Sequence, residues 1–164
     1  MRREDLAAVV DAVKGPTDRF VRESRVRTCL LVNGAGQVLA QYGFTKSYEV
    51  VNVASLAAAA HAAAGALAKM TEAGGWTHLH NQGKDRQLFL APFRTPVETL
   101  VLVAIFDDES SLGVVQFFYE RLVGEVRALP ALQAVAPIET QAAFERDLEA
   151  GIGQVLPTEA DGGG

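Results

Sequence analysis

Apolar positions recur along the chain with two different periods, and the switches between them divide it into elements. In residues 3–25, Leu6, Val9, Val10 and Val13 fall at steps of three and four, and Phe20 follows, which predicts an amphipathic helix. Gly15-Pro16 interrupts it. Proline has no N–H and restricts its neighbour, so the helix is expected to kink or split there. Residues 28–32 are an apolar run of strand length, Asn33-Gly34-Ala35-Gly36 has the residues of a tight turn, and 37–43 resume with Val38, Ala40 and Tyr42 on one face. Together they predict a β-hairpin.

Residues 50–73 read as a long helix, followed by three strands at 76–82, 87–93 and 98–106. Lys84-Asp85 and Arg94-Thr95-Pro96 supply the turns, and Pro92 hints at a bulge or an edge. The stretch ETLVLVAIF (98–106) is almost wholly apolar, as expected of a central strand covered on both faces. Over 111–128, Leu112, Val115, Phe118, Leu122 and Val126 share the stripe of another helix, with Ser110 or Ser111 as its cap and Pro130 as its stop. A last helix is expected over 138–156, with Phe144, Leu148, Ile152 and Val155 on one side and acids on the other, before a disordered tail at 157–164.

Strands joined by tight turns are antiparallel. Five of them with helices on both faces make an α/β three-layer sandwich. The expected organisation is one domain over 1–130, an appended amphipathic helix over 137–156 and the tail. The length of 164 residues agrees with a single domain able to bury its own core.

Charge refines this picture. The net charge is −5, yet residues 1–136 are neutral, and 137–164 hold six acids against the single base Arg146. No basic run offers a footprint for nucleic acid. One cysteine, Cys29, precludes a disulfide framework within the chain and fits a reducing compartment. The opening MRREDLAAVVDAVK lacks an apolar signal core, so a cytoplasmic protein is expected.

The helix over 50–73 is the informative element. From Val53 to Ala68 it contains no acid, lysine or arginine. If Leu56, Ala60, Ala63, Leu67 and Met70 meet the sheet, the other side presents Ala54, Ala58, His61, Ala62, Gly65, Lys69 and Glu72, a smooth flank with charge only at its end. Membrane insertion is one reading, although alanine is barely lipophilic and Asn52, Ser55 and His61 interrupt the run. Plain helix propensity with a solvated flank is another. The third is burial against a second copy or another protein, which would make the flank the functional surface. The next strand favours that third reading. Trp76, His78 and His80 are expected on one face and Leu79 on the other, and an unpaired edge here would template pairing between copies about a twofold axis.

Candidate chemistry is sparse. His78 and His80 have a zinc-compatible spacing, but only His61 remains as a third histidine, so no metal is expected. Asp107-Asp108-Glu109 precedes a helix, where acids are favoured by the dipole. Cys29 sits in an apolar strand as a small core residue. Neither a phosphate-binding Gly-x-x-x-x-Gly-Lys-Ser/Thr loop nor a Gly-x-Ser-x-Gly elbow occurs. The chain is therefore expected to bind no cofactor and to have no active site of its own.

Residues 28–127 resemble the Roadblock / dynein light chain domain, in element order and in the stretches LLVNGAGQVLAQYG, the alanine-rich 55–70, HNQGKDRQLFL and VLVAIFDDESSLGVV. The last two look most like the bacterial MglB-type branch. The resemblance implies a profilin-like Roadblock sandwich and a homodimer built from the alanine helix and the third strand, with Ala58, Ala62, Trp76 and Leu79 as interface candidates. It further implies a small Ras-like GTPase as partner, contacted by His61, Gly65, Lys69 and Glu72. In that branch two protomers engage one GTPase and activate it by reshaping its switch region, without donating an arginine, in cell polarity and gliding motility. A scaffold that binds a GTPase or another Roadblock subunit without stimulating hydrolysis remains the alternative, because the domain serves both uses.

Overall fold

A computed structural model describes residues 2–133. The helix expected over 138–156 and the tail over 157–164 lie outside the described residues. The elements, in order, are α1 (Arg3–Ser24), β1 (Thr28–Asn33), β2 (Val38–Tyr42), α2 (Ser47–Met70), β3 (Leu79–Gln82), β4 (Gln87–Arg94), β5 (Thr99–Phe106), α3 (Leu112–Arg127) and the short α4 (Pro130–Gln133).

The sheet order is β2-β1-β5-β4-β3, with every neighbouring pair antiparallel. β5 is central, as its continuous apolar run requires, and its two faces divide by alternation. Leu100, Leu102, Ala104 and Phe106 join a core with α1 and α3, and Val101 and Val103 join a second core beneath α2. The result is three layers, with α1 and α3 on one side of the sheet and α2 on the other.

α1 is one continuous helix through Pro16, where a kink or split was expected. Gly15 brings no Cβ against the proline ring, which removes the usual clash with the preceding residue. Pro16 is itself buried, so its ring packs into the core and offsets the hydrogen bond it cannot donate. The Thr17 hydroxyl donates to the Val13 carbonyl at 2.7 Å and so satisfies a buried polar group on the same helix.

The β1–β2 hairpin forms as its sequence predicts. Asn33 is 3% exposed, and its Oδ1 accepts from the N–H groups of Ala35 (3.1 Å) and Gln37 (2.9 Å), which fixes the turn. Gly43 ends the hairpin at φ +81°, and a Cβ there would sit 2.2 Å from the Arg27 carbonyl oxygen. Only glycine satisfies both conditions.

Pro92 is at an edge. β3 pairs only as far as Leu90 of β4, so residues 91–94 have no strand on that side. The Tyr119 hydroxyl donates to the Pro92 carbonyl at 2.9 Å instead. α3 begins at the Ser111 cap, whose hydroxyl accepts from the Val114 N–H at 3.3 Å. Salt bridges from Arg19 to Glu125 and from Arg121 to Glu23 tie α1 to α3 along their exposed seam.

Candidate functional site

The orientation of α2 decides what the protein shows to a partner. The helix rests on the sheet through Val50, Ala54, Ala57, Ala64 and Ala68. Leu56, Leu67 and Met70, expected against the sheet, face outward at 68%, 61% and 81% exposure. Ala54, expected on the open flank, is buried. The reason is steric. The sheet presents Leu30, Val32, Leu90, Val101 and Val103 to this helix, and small alanines let the helix settle onto those large side chains. The outward face is therefore more apolar than a run of alanines, and between Glu49 in the first turn and Lys69 in the last it carries no charge. α2 is long and apolar enough to cross a membrane, but one face of it is already committed to the sheet.

The chain then turns back on itself. Thr71 caps α2 by donating its N–H to the Leu67 carbonyl, Glu72 takes φ 54°, and Gly74 and Gly75 come after it at positive φ. This sharp return lays Trp76 beside His61, with ring centroids 5.6 Å apart and planes inclined by 45°. Trp76 is half-buried against the Leu30, Val32 and Leu90 core. It does not share a face with His78 and His80, as had been expected, because β3 starts only at Leu79 and the alternation does not extend back to residue 76.

Between α2, this return and the open end of β4 lies a cleft of about 880 Å3. Four residues expected to contact a partner, His61, Gly65, Lys69 and Glu72, all line it, together with Trp76. The remaining expected residues lie elsewhere. Ala62 and Leu79 are exposed, on α2 and on the edge strand β3. Ala58 is half-buried beside the β1–β2 turn, where a Cβ on Gly36 would come within 3.7 Å of it. Arg94, Thr99 and Arg127 complete the cleft from β4, β5 and α3, and sequence reading missed them. No local pattern marks them, since they meet only through the sheet register and the α3 crossing. Arg127 is held there by a hydrogen bond from its Nε to the Arg94 carbonyl at 2.8 Å. The cleft thus carries three cationic side chains against one acid, Glu72, over a floor that includes Trp76 and Pro92. His61 contributes a buried Nδ1 without a hydrogen-bond partner among the described residues.

The other singled-out residues have structural roles. His80 Nε2 lies 2.8 Å from Gln87 Oε1 with its ring stacked on Phe106, and His78 stacks on Phe89 and meets Gln116. Among the described residues, no three His, Cys, Asp or Glu side chains gather as a metal-binding group. Cys29 is fully buried, and burial pushes its thiol well above the ordinary value. Asp107 accepts from Arg27 at 2.6 Å and from the Glu109 N–H, and these bonds hold its carboxyl below the usual range.

Residues 16–106 match the family model of the Roadblock/LC7 domain. Among solved structures, MglB of Myxococcus xanthus is similar at 26% identity, covering 72% of this chain and 86% of that one, with a TM-score of 0.64. An MglB with tetrameric arrangement is similar at 25% identity, covering 77% and 91%, with a TM-score of 0.64. A Roadblock/LC7 domain from Streptomyces avermitilis shares the fold at 19% identity, covering 67% and 90%, with a TM-score of 0.57. No curated protein sequence matches the chain.

Proposed function

The chain belongs to the Roadblock/LC7 domain family, and from that premise we propose that it is a cytoplasmic, homodimeric regulator of a small Ras-like GTPase. The observation that carries the reading is the pairing of two surfaces on one side of the sheet. One is the outward apolar face of α2, with Leu56, Leu67 and Met70, and the other is the adjoining cleft that holds His61, Gly65, Lys69 and Glu72. An apolar stripe of this kind on a monomer invites coverage by protein. The edge strand β3 beside it offers unpaired backbone groups to a second copy. The similarity to MglB structures, one of them tetrameric, supports self-association.

In this reading the protein has no active site of its own and takes up no cofactor. It binds the GTPase through the cleft and raises hydrolysis by shifting the partner's switch region. Phosphoryl transfer is governed by the placement of water, metal and charge, so a contact that repositions the partner's own groups suffices. The test is GTP turnover by the cognate GTPase with and without the purified protein. A raised rate that is lost in Lys69→Ala and Glu72→Ala supports activation. Binding without any rate change would select the alternative, a Roadblock scaffold. The uncharged outer face of α2 favours that alternative as a surface for another Roadblock chain, since apolar coverage requires no catalysis.

A further inference from the structure

The cleft has a second candidate occupant within the same chain. Its walls carry Lys69, Arg94 and Arg127 against the single carboxylate of Glu72, and none of the three cations forms a salt bridge among the described residues. Its floor is apolar, with Trp76 and Pro92. The described chain ends at its margin. Leu132 anchors α4 in the core of the α1/α3 layer, and Gln133 Nε2 donates to the Arg127 carbonyl at 2.9 Å. The C-terminal residues past this anchor carry the whole charge excess of the protein. Residues 137–156 hold Glu139, Glu145, Asp147 and Glu149 against the single base Arg146, and Phe144, Leu148, Ile152 and Val155 recur among them at steps of three and four.

We propose that the acidic segment 137–156 docks in this cleft of its own domain, with its carboxylates against Arg94, Arg127 and Lys69 and its apolar residues on Trp76 and Pro92. The reach is ample. Glu139 lies six residues beyond Gln133, a span of up to about 20 Å of extended chain. A tethered segment acts at an effective concentration on the order of millimolar, so a weak intrinsic affinity is enough. The attraction is electrostatic at the rim and is weakened by salt, whereas the apolar contacts are not.

Trp76 is the only tryptophan of the chain and lines the cleft, so its emission reports the occupant directly. The experiment measures acrylamide quenching of Trp76 in the full chain, in Glu145→Lys/Asp147→Lys/Glu149→Lys, in Arg94→Glu/Arg127→Glu, and in the combination of both sets. Docking predicts a red shift and stronger quenching in either charge-reversed form, and recovery of protection in the combined form. Equal quenching in all four forms would overturn the proposal. So would a protection that vanishes on dilution of the unaltered chain, which would assign the cleft to a second copy. No GTPase is present in this measurement, so its outcome is independent of the proposed regulatory role.

Discussion

The His61 imidazole on α2 and the Trp76 indole on the return before β3 lie 5.6 Å apart, centroid to centroid, and this contact closes one wall of the cleft. It is the point where the end of a helix and a glycine-rich return are fastened together. Trp76→Ala should therefore release the return and cost about 2–3 kcal/mol, somewhat less than a fully buried aromatic because the indole is only half-buried. Urea unfolding of the purified variant measures the loss, and an unchanged midpoint would show that the return is held by something else.

The outward face of α2 gives the sharpest test of assembly. Ala62 and Leu67 are both exposed in the protomer, so Ala62→Glu and Leu67→Glu should alter its intrinsic stability by no more than about 0.5 kcal/mol. In the proposed dimer the same carboxylates would be desolvated without partners, and assembly should fail. Light scattering distinguishes the two masses. A variant that assembles normally would place this face in water.

Tyr119 couples α3 to the unpaired part of β4. Its hydroxyl donates to the Pro92 carbonyl, and burial pushes its pKa up to about 12. Tyr119→Phe should cost about 1 kcal/mol, because the Pro92 carbonyl then lacks its donor in a part-buried position. Thermal unfolding of the variant at neutral pH checks the figure.

Two carboxylates predict opposite responses to acid. Burial raises the pKa of Glu98, with Asn33 opposing the shift, and its Oε1 has no partner among the described residues. A raised acid contributes stability while protonated, below the ordinary glutamate range, and the contribution is lost as pH rises through the raised value. Glu98→Gln should then raise the melting temperature at neutral pH and leave it unchanged near about pH 3.5. Asp107 behaves inversely. Its pKa is lowered by the Arg27 hydrogen bond, so its contribution is present above the ordinary carboxylate range and lost as pH falls through the depressed value. Asp107→Asn should therefore lower the melting temperature at neutral pH, with the deficit shrinking on acidification.

Signals local to the chain were enough for the element order, the hairpin at Asn33–Gly36, the central place of β5 and a serine cap at 110 or 111, of which the structure uses Ser111. Each depends on near neighbours, such as a turn residue, an alternation of apolar positions or a hydroxyl before a helix. The sequence also marked α2 as the surface to watch, and through the family's pattern it picked out His61, Gly65, Lys69 and Glu72, which do converge on one cleft. Which way α2 faces was a matter of packing between distant segments. A helix apolar on every side has no stripe to orient it, and the choice fell to how closely Ala54, Ala57, Ala64 and Ala68 fit the large side chains of the sheet beneath. Packing likewise brought Arg94 and Arg127 into the cleft, because strand register and helix crossing join residues that no spacing along the chain connects.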